Sequence, residues 1–194
     1  PIAGVIFAHE ALLRRFSVGA IAPIAISSIV AYAANQYLFS IELAFSVPDL
    51  PIAIGPLIPF LLIAAPLCSI VAIAYMLALR KGKAMAAASG WSFAQLSIMC
   101  VFVAGFIGMI IPEVLGLGNI QINQMINNEF TPVYLIVLLI AKIIITALCI
   151  NAGFFGGVFG PALFIGAAMG GIVAYSAGMF GMSIDMTTAI SVAA

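Results

Sequence analysis

Long apolar stretches without any charged residue alternate with short charged clusters along this chain. Residues 16–41, 50–79, 84–112 and 143–184 contain no Asp, Glu, Lys or Arg, and by counting they are 26, 30, 29 and 42 residues long. A membrane-spanning helix needs about 20 predominantly apolar residues. The first three stretches therefore each predict one span, and the fourth has room for two.

The order of apolar and polar positions predicts an element for each part of the chain. Residues 38–52 carry two acidic residues and two prolines, which predict a loop. Residues 114–131 contain four asparagines and two glutamines, so they are too polar to span and predict a re-entrant or interfacial segment. The apolar runs predict a short helix over 1–13 and longer helices over 17–37, 53–79, 88–111, 132–150 and 159–180.

The composition excludes several classes of protein. Of 194 residues, 65% are hydrophobic and only 6% are charged, whereas a soluble domain has about 25% charged residues. Three cysteines are too few for a disulfide scaffold, and a net charge of +0 without a basic stripe argues against nucleic-acid binding. A single histidine excludes histidine triads and multi-histidine metal sites. We expect an all-α polytopic membrane protein with tilted helices that is not an enzyme and needs no metal or cofactor.

The positive charges predict the topology. Basic clusters lie at 14–15 and 80–83, with two predicted spans between them. Both clusters should therefore be cytoplasmic, which places the loop at 38–52 on the extracytoplasmic side. The chain starts at Pro1 and ends in an uncapped apolar run, so we expect it to be an internal piece of a larger membrane protein.

A glycine-rich break over 151–161 interrupts the longest uncharged stretch. Four glycines and Pro161 cannot continue a helix, yet Pro161 suits the first turn of a new one. No Ser, Thr or Asp lies in 152–161 to cap the first amides of that helix. Since the N-terminal end of a helix carries partial positive charge, the break predicts an anion site. The pairs Gly156/Gly160 and Gly166/Gly170 equally fit close packing of helices.

Several motifs resemble those of the CLC chloride channel and transporter family. The stretch GGVFGPALFIGAAMG at 156–170 is similar to the family's GGxFxPxLxxGAxxG pattern. Three further matches follow in the family's order: PIAGVIF at 1–7 with Glu10, PEVLGLG at 112–118, and Lys142 four residues before Thr146.

The resemblance implies a homodimer in the cell membrane, with one pore per subunit and two inverted halves of broken helices. Residues 1–37 would end the first half, on the side of the dimer interface, and 53–194 would form most of the second. Chloride, as the transported ligand, would be bound by backbone amides of Val158 and Phe159, with Gly157 and Gly160 beside them.

Other candidate residues and functions stay open. Glu10 is either a proton-transfer or gating group or a solvated helix end, and the exchangers' usual second acid is replaced by Ala11. Lys142 either raises the potential for anions or binds carbonyls at a helix end. Chloride transport, by a channel or a proton-coupled exchanger, is the favoured function. The alternatives are a CLC-type transporter of fluoride or nitrate and a membrane scaffold or assembly subunit that transports nothing.

Overall fold

The computed structural model of the chain describes residues 2–13, 16–38, 54–154, 156–179 and 186–193. The chain divides into two compact units, Pro1–Ala44 and Phe45–Ala194. Apart from Leu38, the predicted loop at 38–52 lies outside the described residues. The assignment of the two parts of the chain to inverted halves stays a prediction.

The first unit contains two helical segments. Helix α1 (Ile2–Phe7) continues into a π-helical segment (Ala8–Leu13), and α2 is Val18–Leu38. The side chain of His9 joins them, since its Nδ1 lies 2.9 Å from the Val5 carbonyl oxygen and its Nε2 lies 3.0 Å from that of Ser17. Carbonyls only accept hydrogen bonds, so both contacts are satisfied together in the imidazolium form. The same two contacts raise the pKa of His9 above its ordinary 6.5.

The second unit is entirely helical over its described residues. Its helices are α3 (Ile54–Ala88), α4 (Phe93–Ile110), α5 (Asn119–Ile126), α6 (Pro132–Asn151), α7 (Phe159–Met179) and α8 (Met186–Ala193), with a 3₁₀ turn at Pro112–Val114. Across the described chain, α2, α3, α4, α6 and α7 are long and apolar enough to cross a membrane. The prediction of an all-α polytopic membrane protein is confirmed.

Helix α3 is longer than its predicted span of 53–79. It continues through the basic residues at 80–83 to Ala88, because Lys, Arg and Ala favour helix and the next break is Gly90, with a φ of 66°. Its 35 residues correspond to about 52 Å of helix, against a hydrocarbon thickness of about 30 Å. The basic residues therefore lie on an exposed extension of the span.

Helices α6 and α7 form the centre of the second unit. Half of the apolar window of α7 is buried, against 11% for α3 and for α4. Small residues allow its close packing: a Cβ added at Gly170 would lie 2.6 Å from Ala193 Cβ and 2.9 Å from the Ala189 carbonyl oxygen on α8. Packing of small residues thus explains Gly170.

The polar segment at 114–131 does not span, as predicted. It contains a glycine-rich turn followed by the two-turn helix α5, whose Ile122, Met125 and Ile126 are buried. Thr187 on α8 donates a hydrogen bond to the Ile126 carbonyl at 3.1 Å. The segment is therefore folded against the helical core of the unit.

Candidate functional site

Helix α6 ends at the predicted break through a glycine-based cap. Gly153 has a left-handed φ of 86°. Its amide donates to the Ile150 carbonyl, and the amide of Phe154 donates to the Cys149 carbonyl, both at 3.1 Å. This hydrogen-bond pattern closes a helix and turns the chain away from its axis. The glycine at this position is the local reason why α6 stops.

The chain restarts as α7 seven residues after this end. Pro161 lies in the first turn, and the first helical hydrogen bond runs from the Ala162 amide to the Val158 carbonyl, at 3.0 Å. Helix geometry therefore directs the amides of Phe159 and Gly160 out of the N-terminal end, where the helix dipole is positive. The side chains of Val158 and Phe159 are 46% and 59% exposed in this structure.

Two glycines of the break face open space. A Cβ added at Gly156 or Gly157 would meet no heavy atom of the described chain within 4 Å, and neither residue has a left-handed φ. At Gly160 an added Cβ would lie 3.2 Å from Leu117 Cδ2. Packing within the described chain thus accounts for Gly160 and Gly170 but not for Gly156 and Gly157.

Hydrogen bonds from three side chains connect the break to the neighbouring helices α3 and α4. Asn151 Nδ2 donates to the Leu79 carbonyl (3.2 Å), Ser97 Oγ donates to the Ala152 carbonyl (3.3 Å), and Tyr75 Oη donates to the Val158 carbonyl (3.4 Å). These bonds hold the break from both of its ends.

Lys142 on α6 is the one strongly buried charge among the described residues, with 2% of its surface exposed. Its Nζ donates to the carbonyls of Val114 and Gly116, at 2.8 and 2.7 Å, and lies 4.7 Å from the centre of the Phe164 ring. Of the two interpretations of this lysine, the geometry matches the binding of carbonyls at a helix end.

A cavity of about 230 Å³ lies between this lysine and the break. Lys142 and Thr146 from α6, Gly116 from the preceding turn, and Gly156 and Gly157 from the break all line it. The structure thus brings two candidate residues, Gly157 and Lys142, to one cavity. Only chain segments far apart in sequence meet there.

The complete chain, residues 1–194, matches the family model described as voltage gated chloride channel. The chain belongs to the voltage-gated chloride channel family. This finding confirms the resemblance to CLC proteins that the motifs at 1–10, 112–118 and 156–170 predict. As a member of this family with five sufficiently apolar helices, the chain is part of a multi-pass membrane protein.

Two curated relatives of this voltage-gated chloride channel chain are similar over most of its length. The uncharacterized protein MJ0305 of Methanocaldococcus jannaschii is 28% identical over 177 residues, which cover 88% of this chain and 43% of that protein. Chloride channel protein CLC-f of Arabidopsis thaliana is 26% identical over 190 residues, 91% of this chain and 24% of that protein. The chain thus spans less than half the length of either relative.

The remaining candidates of this family member lie apart from the break or were missed. Glu10 belongs to the other unit, in the π-helical segment, and its side chain is outside the described part of the structure. Sequence reasoning did not find Tyr75, because a tyrosine in an apolar run is ordinary and its contact with Val158 joins residues 83 positions apart. No local pattern signals such a contact.

Proposed function

We propose that the full-length protein carries chloride across the cell membrane, with the anion held by backbone amides of Val158, Phe159 and Gly160. Family membership supports transport of this class of ion. The anion is the transported ligand, and the proposed site uses no metal or cofactor. By family resemblance, we further propose a homodimer with one such pathway in each subunit.

The observation that carries this proposal is the open space at Gly156 and Gly157, directly before the N-terminal end of α7. Side chains at these positions would occupy the approach to the amides, so glycine leaves room for an ion. Amide dipoles in a medium of low dielectric constant attract an anion without a full countercharge. A site of this kind binds a halide and still releases it, as conduction requires.

Lys142 supports the site from behind. Its ammonium group holds the turn at Val114 and Gly116, and the residue lines the same cavity as Gly157. We propose that its main role is to position this wall of the cavity. Its positive charge in a poorly screened interior also favours an anion on the cavity side of the break.

Chloride flux from liposomes that contain the purified full-length protein tests the proposal. Gly157→Val should lower chloride flux about tenfold or more, because the branched side chain fills the approach to the amides, a steric effect comparable to a lost binding interaction. Gly105→Val on α4 is the matched control, since an added Cβ there also meets open space but lies on another helix. Equal flux in both variants would contradict the proposed site.

The same assay separates the alternative functions. Absence of flux of any anion through the wild-type protein would favour a membrane scaffold. Faster flux of fluoride or nitrate than of chloride would reassign the substrate within the family. Chloride movement driven by an imposed pH gradient would show proton-coupled exchange, and chloride movement independent of the gradient would show a channel.

A further inference from the structure

One turn of helix α3 contacts both ends of the break. Leu79 accepts a hydrogen bond from Asn151, the last residue of α6, and Tyr75 donates one to Val158, immediately before α7. Residues four positions apart lie on one face of a helix. A rigid α3 therefore fixes where α6 ends relative to where α7 begins.

The contact of Tyr75 acts on the peptide unit that carries a proposed anion ligand. The Val158 carbonyl and the Phe159 amide belong to one planar trans peptide, so they point in opposite directions. This carbonyl accepts hydrogen bonds from Tyr75 Oη at 3.4 Å and from the Ala162 amide at 3.0 Å. Two donors on the carbonyl side thereby set the direction of the amide on the other side.

Packing around the tyrosine ring leaves this orientation dependent on the hydroxyl. Tyr75 is 7% exposed and belongs to the apolar core. A cavity of about 180 Å³, lined by Ala162, Ile165 and Met169 of α7, lies beside it. Because the ring has unfilled space on the side of α7, van der Waals contacts alone hold it less firmly than a close-packed core would.

We propose that Tyr75 is a positioning residue for anion binding, which holds the Val158–Phe159 peptide so that its amide faces the anion. This inference rests on the proposed function. Preorganised donors bind an ion better than mobile ones, because no free energy is spent on ordering them when the ion arrives. The side chain itself need not contact the anion.

Two measurements on the full-length protein test the inference. Tyr75→Phe removes the hydroxyl and keeps the ring, and the matched control is Tyr134→Phe, whose hydroxyl donates to Glu113 at 2.8 Å. In Tyr75→Phe, hydrogen–deuterium exchange of the peptide covering 153–163 should be about twofold to fivefold faster, as expected for one long, neutral hydrogen bond. The chloride dissociation constant from calorimetric titration should rise by about the same factor. Tyr134→Phe should change neither quantity.

The two readouts separate failure of this inference from failure of the proposed function. Unchanged exchange at 153–163 in Tyr75→Phe would overturn the inference, whether or not the protein binds chloride. Faster exchange with unchanged chloride affinity would also overturn it, since the orientation would then not matter for binding. A wild-type protein that binds no chloride would overturn the proposed function, even where faster exchange shows that Tyr75 holds the break.

Discussion

Replacement of Lys142 by methionine should destabilise the protein strongly. The ammonium group donates two short hydrogen bonds, at 2.8 Å to the Val114 carbonyl and 2.7 Å to the Gly116 carbonyl. Methionine has similar length but no donor, so it leaves two carbonyl groups without their partner. Val114 is 1% exposed, which prevents water from replacing the lost donor there.

The magnitude follows from the number and the type of these bonds. A hydrogen bond to a charged group contributes about 1.5–3 kcal/mol to stability, so the loss of two costs about 3–6 kcal/mol. The lost contact between the ammonium group and the Phe164 ring adds to this cost. Lys142→Arg should lose less, because the guanidinium group has several donors, although its larger size disturbs the packing.

Thermal unfolding of the full-length protein in detergent, followed by fluorescence, measures the effect. Lys142→Met should lower the apparent melting temperature by several degrees. Lys81→Met, at an exposed position on the extension of α3, should leave it nearly unchanged, as surface substitutions usually do. A Lys142→Met protein as stable as the wild type would refute the reasoning. If that stable variant had also lost chloride flux, the charge would act on the ion rather than on the fold.

Three further predictions concern other parts of the chain. Gly170→Leu should prevent close packing of α7 on α8 and reduce the yield of folded protein in size-exclusion chromatography, whereas Gly178→Leu, with open space around it, should not. Because the pKa of His9 is raised in the folded protein, mainly by the Ser17 carbonyl, its stabilisation is complete below about pH 6.5 and is lost as the pH rises through the raised value. The melting temperature should therefore fall more between pH 6 and pH 8 for the wild type than for His9→Leu, and parallel curves would contradict this. Cys100 and Cys149, with sulfurs 3.6 Å apart, should form an α4–α6 disulfide under mild oxidation, detectable by mass spectrometry of linked peptides, and recovery of only unlinked peptides would contradict this packing.

Local sequence features determined most of the helices and the position of the break. Long uncharged stretches predict membrane helices because a charge in hydrocarbon is costly, and α2, α4, α6 and α7 agree with their predicted spans. The glycines and the proline at 151–161 predict the break because these residues oppose continuous helix. The end of α3 was placed too early, since a basic cluster marks a membrane boundary but does not stop a helix.

The role of individual residues at the break was decided by tertiary structure. Sequence alone left two roles open for Lys142 and two for the glycine pairs, because each choice depends on which distant groups lie nearby. The fold places the turn at 112–118 against Lys142 and leaves the approach to Gly157 open. It also brings Tyr75 to Val158. Hydrophobic periodicity and backbone preferences are properties of neighbouring residues, whereas a hydrogen bond between residues 83 positions apart exists only once the helices have packed.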